Sequence, residues 1–211
     1  MTLLNQNIFA HRGFWDSKIS QNSLGSFINA STFEFSIETD LRSIGSEIVI
    51  AHDIPSNELT LNAGYIFDFN SRFALNIKSD GILDYFLNKR EWLGETKSFF
   101  FDGSIPELHK YKNAGLPVAL RLSEFERELP WECKTIWLDS FNSDWWIKGD
   151  QLHTLSEKHF VIVVSPELHG REYLRVWDKT MELILSGNDN IGICTDYPDK
   201  FAATIGDRYV S

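Results

Sequence analysis

Short apolar runs rich in β-branched and aromatic residues recur along the chain, at positions 8–10, 35–41, 48–51, 73–77, 98–101, 118–120, 135–138, 160–164 and 191–194. Between most of them the apolar positions fall at helical spacing, over 22–33, 82–91, 105–114, 144–158 and 172–185. Strand and helix in alternation predict parallel β/α units, because two parallel neighbours need a crossover of a dozen or more residues, usually a helix. The run at 48–51 follows its predecessor too closely for such a crossover and is expected to pair antiparallel or to lie at the mouth of the fold, which leaves eight main strands. Local signals agree: Asn22 and Ser23 can open the first helix, Ser123 with Glu126 forms a capping-box pattern, and Gly187 can close the helix that ends near 185.

Eight such units predict an α/β fold of the (β/α)8 TIM-barrel type, in which chemistry sits at the carboxyl ends of the strands. The usual barrel has about 250 residues. A chain of 211 must then be compact, with some helices short or missing, and an open sheet of six or seven strands is the alternative. This length accommodates one sizeable core, so a single domain over 1–211 is expected.

Composition narrows the partners. The formal charge of −10 repels polyanions, and no Lys/Arg run is dense enough to offset it, which argues against nucleic acid and anionic lipid. Asn5, Gln6 and Asn7 interrupt the first apolar stretch, and no later run approaches the ~18 apolar residues of a membrane span; a cytoplasmic protein without membrane insertion is expected. Cys133 and Cys194 lack the number for a disulfide framework and the spacing of a zinc site, and are expected as free thiols.

Polar residues stand at consecutive strand ends: His11-Arg12-Gly13, Glu38-Thr39-Asp40, His52-Asp53 and Asn76-Ile77-Lys78. Strand geometry points the side chains of Glu38 and Asp40 to one face. Two buried carboxylates side by side repel, which raises a pKa or demands a cation, and a hard divalent ion with oxygen ligands, Mg²⁺ or Ca²⁺, answers that demand. Two imidazoles suit proton transfer near neutral pH, while Arg12 and Lys78 supply fixed positive charge for phosphate oxygens. Gly13 can permit a tight turn beside the phosphate. Together the set describes a small-molecule phosphodiester site.

The same residues resemble the signature of the glycerophosphodiester phosphodiesterases, which belong with the phosphatidylinositol phospholipase C-like barrels. The resemblance is dense in His11-Arg12-Gly13, Gln21-Asn22-Ser23-Leu24, the stretch from Phe35 to Arg42 around Glu38-Thr39-Asp40, and Val49-Ile50-Ala51-His52-Asp53. It thins to Leu75-Asn76-Ile77-Lys78, Ser165-Pro166-Glu167 and the segment Gly192 to Pro198. It implies a barrel, hydrolysis of a glycerophosphodiester or phospholipid-derived substrate, one divalent metal on Glu38 and Asp40, His11 and His52 as general acid and base, and Arg12 on the non-bridging oxygens. Two departures stand out: Gln21 replaces an acid before the first helix, and Asn76 occupies the place of a third acidic metal ligand. Asn76 can still offer an amide oxygen, and Asp102, after the fourth strand of the barrel count, is either a substitute carboxylate or a helix cap.

Later strand ends carry Arg121, Asp139, Glu167, His169 and Asp196. Arg121 and Glu167 are candidates for substrate contact, whereas Asp139 and Asp196 are equally well caps or salt-bridge partners. Trp145-Trp146 offers a possible sugar or lipid platform, though adjacent helical residues point to different faces. Two other readings stay open: a degenerate, non-catalytic barrel that binds a phosphorylated ligand, and a two-carboxylate glycosidase using Glu167.

Overall fold

The computed structural model describes residues 2–55 and 60–210, with side chains over 4–55 and 60–208. In chain order the elements are α1 (Thr2–Asn5), β1 (Ile8–His11), α2 (Leu24–Thr32), β2 (Ser36–Ile44), β3 (Glu47–Ile50), β4 (Leu61–Asn62), β5 (Phe73–Ile77), α3 (Leu83–Phe86), α4 (Arg90–Thr96), β6 (Phe99–Phe101), α5 (Ile105–Asn113), β7 (Ala119–Leu122), β8 (Thr135–Leu138), α6 (Gln151–Ser156), β9 (Phe160–Val164), α7 (Leu174–Leu185), β10 (Ile191–Thr195) and α8 (Pro198–Val210). Single 3₁₀ segments lie at Ala63–Asp68, Leu87–Lys89 and Pro166–His169. The chain divides into two compact units, one of Ala10–Val118 and one of Met1–Phe9 with Ala119–Ser211.

In the unit Ala10–Val118, β2 is the organising strand. It pairs in parallel with β5 from Ile37↔Phe73 to Leu41↔Ile77, and its far half pairs antiparallel with β3, from Leu41↔Ile50 to Ile44↔Glu47. The antiparallel placement of the 48–51 run is as expected, since the turn after Ile44 is too short for anything else. β5 continues in parallel to β6, and β3 to the short β4. Phe27, Ile37, Leu41, Phe73, Leu75, Phe86, Phe100 and Tyr111 are fully buried in the core. α2 reaches that core through Phe27 and Ala30. Its N-cap is Ser23, whose Oγ accepts from Ser26 N at 3.1 Å while Ser26 Oγ accepts from Ser23 N at 3.2 Å; a serine here fills the N3 role of the capping box.

In the other unit β7, β8, β9 and β10 follow one another in parallel. Their runs, such as Val161-Ile162-Val163, are buried without alternation, as in strands covered on both faces. α7 buries Val176, Trp177, Thr180 and Met181, and Gly187, at φ +90°, ends it as expected.

Three expectations need correction. No helix follows Ser123: its Oγ caps Phe125 N and Glu126 N in a turn, and the Glu126 carboxylate goes to Arg121 instead of returning to Ser123 N. The helix expected over 144–158 contracts to α6, because Gly149 and Asp150 both adopt left-handed backbone at φ +85° and +54° and interrupt the turn. The helix expected over 82–91 is broken into α3, a 3₁₀ turn and α4. α1, β4 and α8 lie outside the segments that the periodicity marks.

Candidate active site

The loop from β1 into α2 brings the first candidates onto β2. Arg12 (φ +58°) and Asn22 (φ +52°) both hold left-handed backbone, and Gly13 (φ +82°) packs so tightly that a Cβ there would lie 2.4 Å from Ser26 Oγ. The Arg12 carbonyl accepts from Asn22 N at 2.8 Å and from Ser26 Oγ at 3.1 Å, which folds the loop back over the strand. Trp15 Nε1 donates to the His11 carbonyl at 3.0 Å, fixing the backbone that carries the first imidazole.

Beneath this loop lie Glu38 and Asp40, 2% and 1% exposed. Glu38 accepts from Arg12 N at 3.1 Å and from Asn76 Nδ2 at 3.3 Å, and His11 Nε2 stands 3.9 Å from its Oε2. Asp40 is ion-paired to Arg12 Nε at 3.2 Å and to Lys78 Nζ at 3.3 Å. Asn22 Nδ2 donates to Asp40 Oδ2 at 2.8 Å, while Asn22 Oδ1 accepts from Thr39 Oγ1 at 2.8 Å. Burial first, and the neighbouring charge of Asp40 second, push the Glu38 carboxyl from its ordinary 4.5 up to about 7, against the downward pull of His11, Lys78 and Arg12. A buried acidic floor is thus rimmed by two partly exposed cations, with Arg12 further steadied by Gln21 Oε1 at 3.0 Å from its Nη1.

The structure therefore brings together His11, Arg12, Gln21, Glu38, Asp40, Asn76 and Lys78, all in the unit Ala10–Val118. His52 joins through its backbone: Ala51 N donates to the Asp40 carbonyl at 3.1 Å, and Arg42 Nη2 donates to the His52 carbonyl at 2.6 Å. Its ring pairs with the exposed Asp53 at 2.9 Å. Asp102 directly follows Phe101, the β6 partner of Asn76, at φ +61°.

Arg121 and Glu167 lie in the other unit and are engaged there. Arg121 pairs with Glu126 and stands over the Phe141 ring. Glu167 accepts from the hydroxyls of Ser165 and Thr195 and from Asp196 N, so its carboxylate joins the ends of β9 and β10. His169 pairs with the buried Asp139 at 2.7 Å. Of the paired tryptophans, Trp146 is core and Trp145 donates to the Asp139 carbonyl at 2.8 Å. Two residues outside the sequence candidates emerge: Asn22, foreseen as a helix opener, holds Asp40, and Arg42 holds His52. The E-x-D-x-R spacing of β2, which puts Glu38, Asp40 and Arg42 on one face, was the available signal for the second.

Among the described residues, no three His, Cys, Asp or Glu side chains are grouped to hold a metal ion, since the third oxygen here belongs to an amide. That oxygen, Asn76 Oδ1, is buried and accepts no hydrogen bond. Two carboxylates and an unsatisfied amide oxygen form a hard donor set that fits Mg²⁺ or Ca²⁺, while Arg12 and Lys78 already neutralise part of the charge that would attract one. No helix among the described residues is long and apolar enough to cross a membrane.

No family model matches the sequence, and no curated protein matches it either. Among solved structures, the chain is similar to the crystal structure of a glycerophosphodiester phosphodiesterase from Agrobacterium tumefaciens str. C58, at 14% identity and a TM-score of 0.67, over 93% of this chain and 98% of that one. At that identity the likeness carries the architecture alone, and the chain has the mixed α/β fold of the TIM-barrel type.

Proposed function

We propose that the chain is a phosphodiesterase acting on small phosphodiesters of the glycerophosphodiester kind, with His11 and His52 as its proton-transfer pair. The observation that carries this reading is the buried Glu38–Asp40 pair with His11, Arg12 and Lys78 gathered on it. Carboxylates removed from water call for positive charge, and cations that stand partly in solvent beside them can donate to phosphoryl oxygens. The Arg12 guanidinium, held by Asp40 at Nε and by Gln21 at Nη1, can donate to those oxygens, and Lys78 adds a point charge. One histidine removes the proton of the attacking hydroxyl or water and the other protonates the departing alkoxide. Glu38, Asp40 and Oδ1 of Asn76 are the residues that would hold Mg²⁺ or Ca²⁺, with Asp102 as a further candidate. Such an ion supplies Lewis-acid stabilisation of charge on the phosphoryl oxygens.

A panel of chromogenic phosphodiesters assayed with Mg²⁺, Ca²⁺ or EDTA tests the reading. Hydrolysis that is lost in EDTA and falls about 10²–10⁴-fold in His11→Ala is the expected result. A second reading, a non-catalytic barrel that binds a phosphorylated ligand, is favoured by Asn76 in a carboxylate's place; it predicts phosphate binding with no turnover in any metal.

A further inference from the structure

We infer that Arg42 is the positioning residue for His52, fixing the imidazole to the strand that carries the acidic pair; this rests on the reading of His52 as a proton-transfer group. Arg42 lies on β2 two residues beyond Asp40 and on the same face as Glu38 and Asp40. Its Nη2 donates to the His52 carbonyl at 2.6 Å, a short bond of the charge-assisted type. The preceding residue is held as well, by Ala51 N on the Asp40 carbonyl at 3.1 Å. The peptide group before Ala51 and the one after His52 are therefore both tied to β2, one by backbone and one by the guanidinium. β3 ends at Ile50, so the ladder gives His52 no further support, and Arg42 takes over where strand pairing stops.

The manner of its burial argues that the contact is more than filler. Arg42 Nε is buried and has no hydrogen-bond partner, and among the described residues no carboxylate pairs with Arg42. Arg42 is half-buried, and shielding its Nε without a partner has a desolvation cost that an aliphatic residue bridging β2 and β3 would avoid. What an aliphatic residue cannot do is hold the carbonyl of residue 52. A backbone displacement there of about 1 Å carries the ring with it, and misplacement of that size costs about 10²-fold in rate.

The test compares the full-length protein with Arg42→Ala, Arg42→Lys and His52→Ala, using hydrolysis of a chromogenic phosphodiester and the imidazole resonances of His52 and His11. Arg42→Ala should lower kcat by about 10²-fold with KM little changed. It should shift the His52 resonances while leaving those of His11 in place, and millimolar guanidinium should restore part of the rate. Arg42→Lys should retain more activity than Arg42→Ala, and guards against a variant that fails to fold. In the His52→Ala background, Arg42→Ala should cost nothing further. Unshifted His52 resonances in Arg42→Ala, or an additional full loss in the His52→Ala background, would overturn the inference. If the unmodified protein hydrolyses no phosphodiester, the proposed function falls, and the resonances alone decide whether Arg42 places His52.

Discussion

Glu38 shows how one side chain can be held at a cost to the fold. Its carboxyl is pushed up to about 7 by burial and by Asp40, whereas in the unfolded chain it titrates near the ordinary 4.5. Between those values the folded protein binds more protons than the unfolded one, so stability falls as pH rises through that window and stays lower above it. Glu38→Gln removes the ionisable group while keeping an oxygen that can accept from Arg12 N. In EDTA, urea unfolding should therefore find Glu38→Gln more stable than the unmodified protein at pH 8, by up to roughly 3 kcal/mol, with the difference gone near pH 4.5. An equal gain at both pH values would mean that packing, and not ionisation, is the source. The same residue was legible in the sequence as half of a carboxylate pair needing a counter-charge. What was not legible is that Asn22 and Arg12 supply donors to that pair, because a contact across a folded-back loop leaves no periodic trace.

Elements differ in how far their sequence foretold them, and the reason is burial. β5, β8 and β9 begin and end where their apolar runs do, since each is enclosed and its composition is set by the core. The helix expected over 144–158 shortens because its apolar residues satisfy a helical period that left-handed backbone at Gly149 and Asp150 overrides. The connection from β1 to α2 is the opposite case, a short element whose conformation is over-determined. Gly13 needs φ +82°, and a Cβ there would meet Ser26 Oγ at 2.4 Å and the Ser26 backbone carbon at 2.9 Å. Because Ser26 is the N3 partner of the α2 capping box, a push on it strains the loop and the helix start together. Gly13→Ala should destabilise the protein by about 1–3 kcal/mol, visible as a lowered urea midpoint, and should displace Arg12 from Asp40. An unchanged midpoint would mean that the loop is free to relax.

At the scale of the whole chain, two partly exposed cations stand beside a buried acidic pair in a molecule of negative net charge, and the consequence is selectivity by substrate charge. Arg12 and Lys78 present positive charge at one place, yet the molecule carries a formal −10. A small zwitterionic diester feels chiefly the local field, since charges farther away than about 8–10 Å are screened at physiological salt. A polyanion spans many such lengths and meets the net repulsion as well. Raising ionic strength should therefore leave kcat/KM for a zwitterionic glycerophosphodiester nearly constant, while any residual cleavage or binding of an oligonucleotide or an anionic vesicle increases with salt. Proteins that neutralise nucleic-acid phosphates show the reverse slope, losing affinity as salt rises. Measuring both substrates across 20–300 mM salt, a range chosen on the order of the Debye-length change it produces, separates the two cases. A falling salt response with the oligonucleotide would indicate a basic track on the surface that overrides the net charge, and would replace the small diester with a polymer as the substrate.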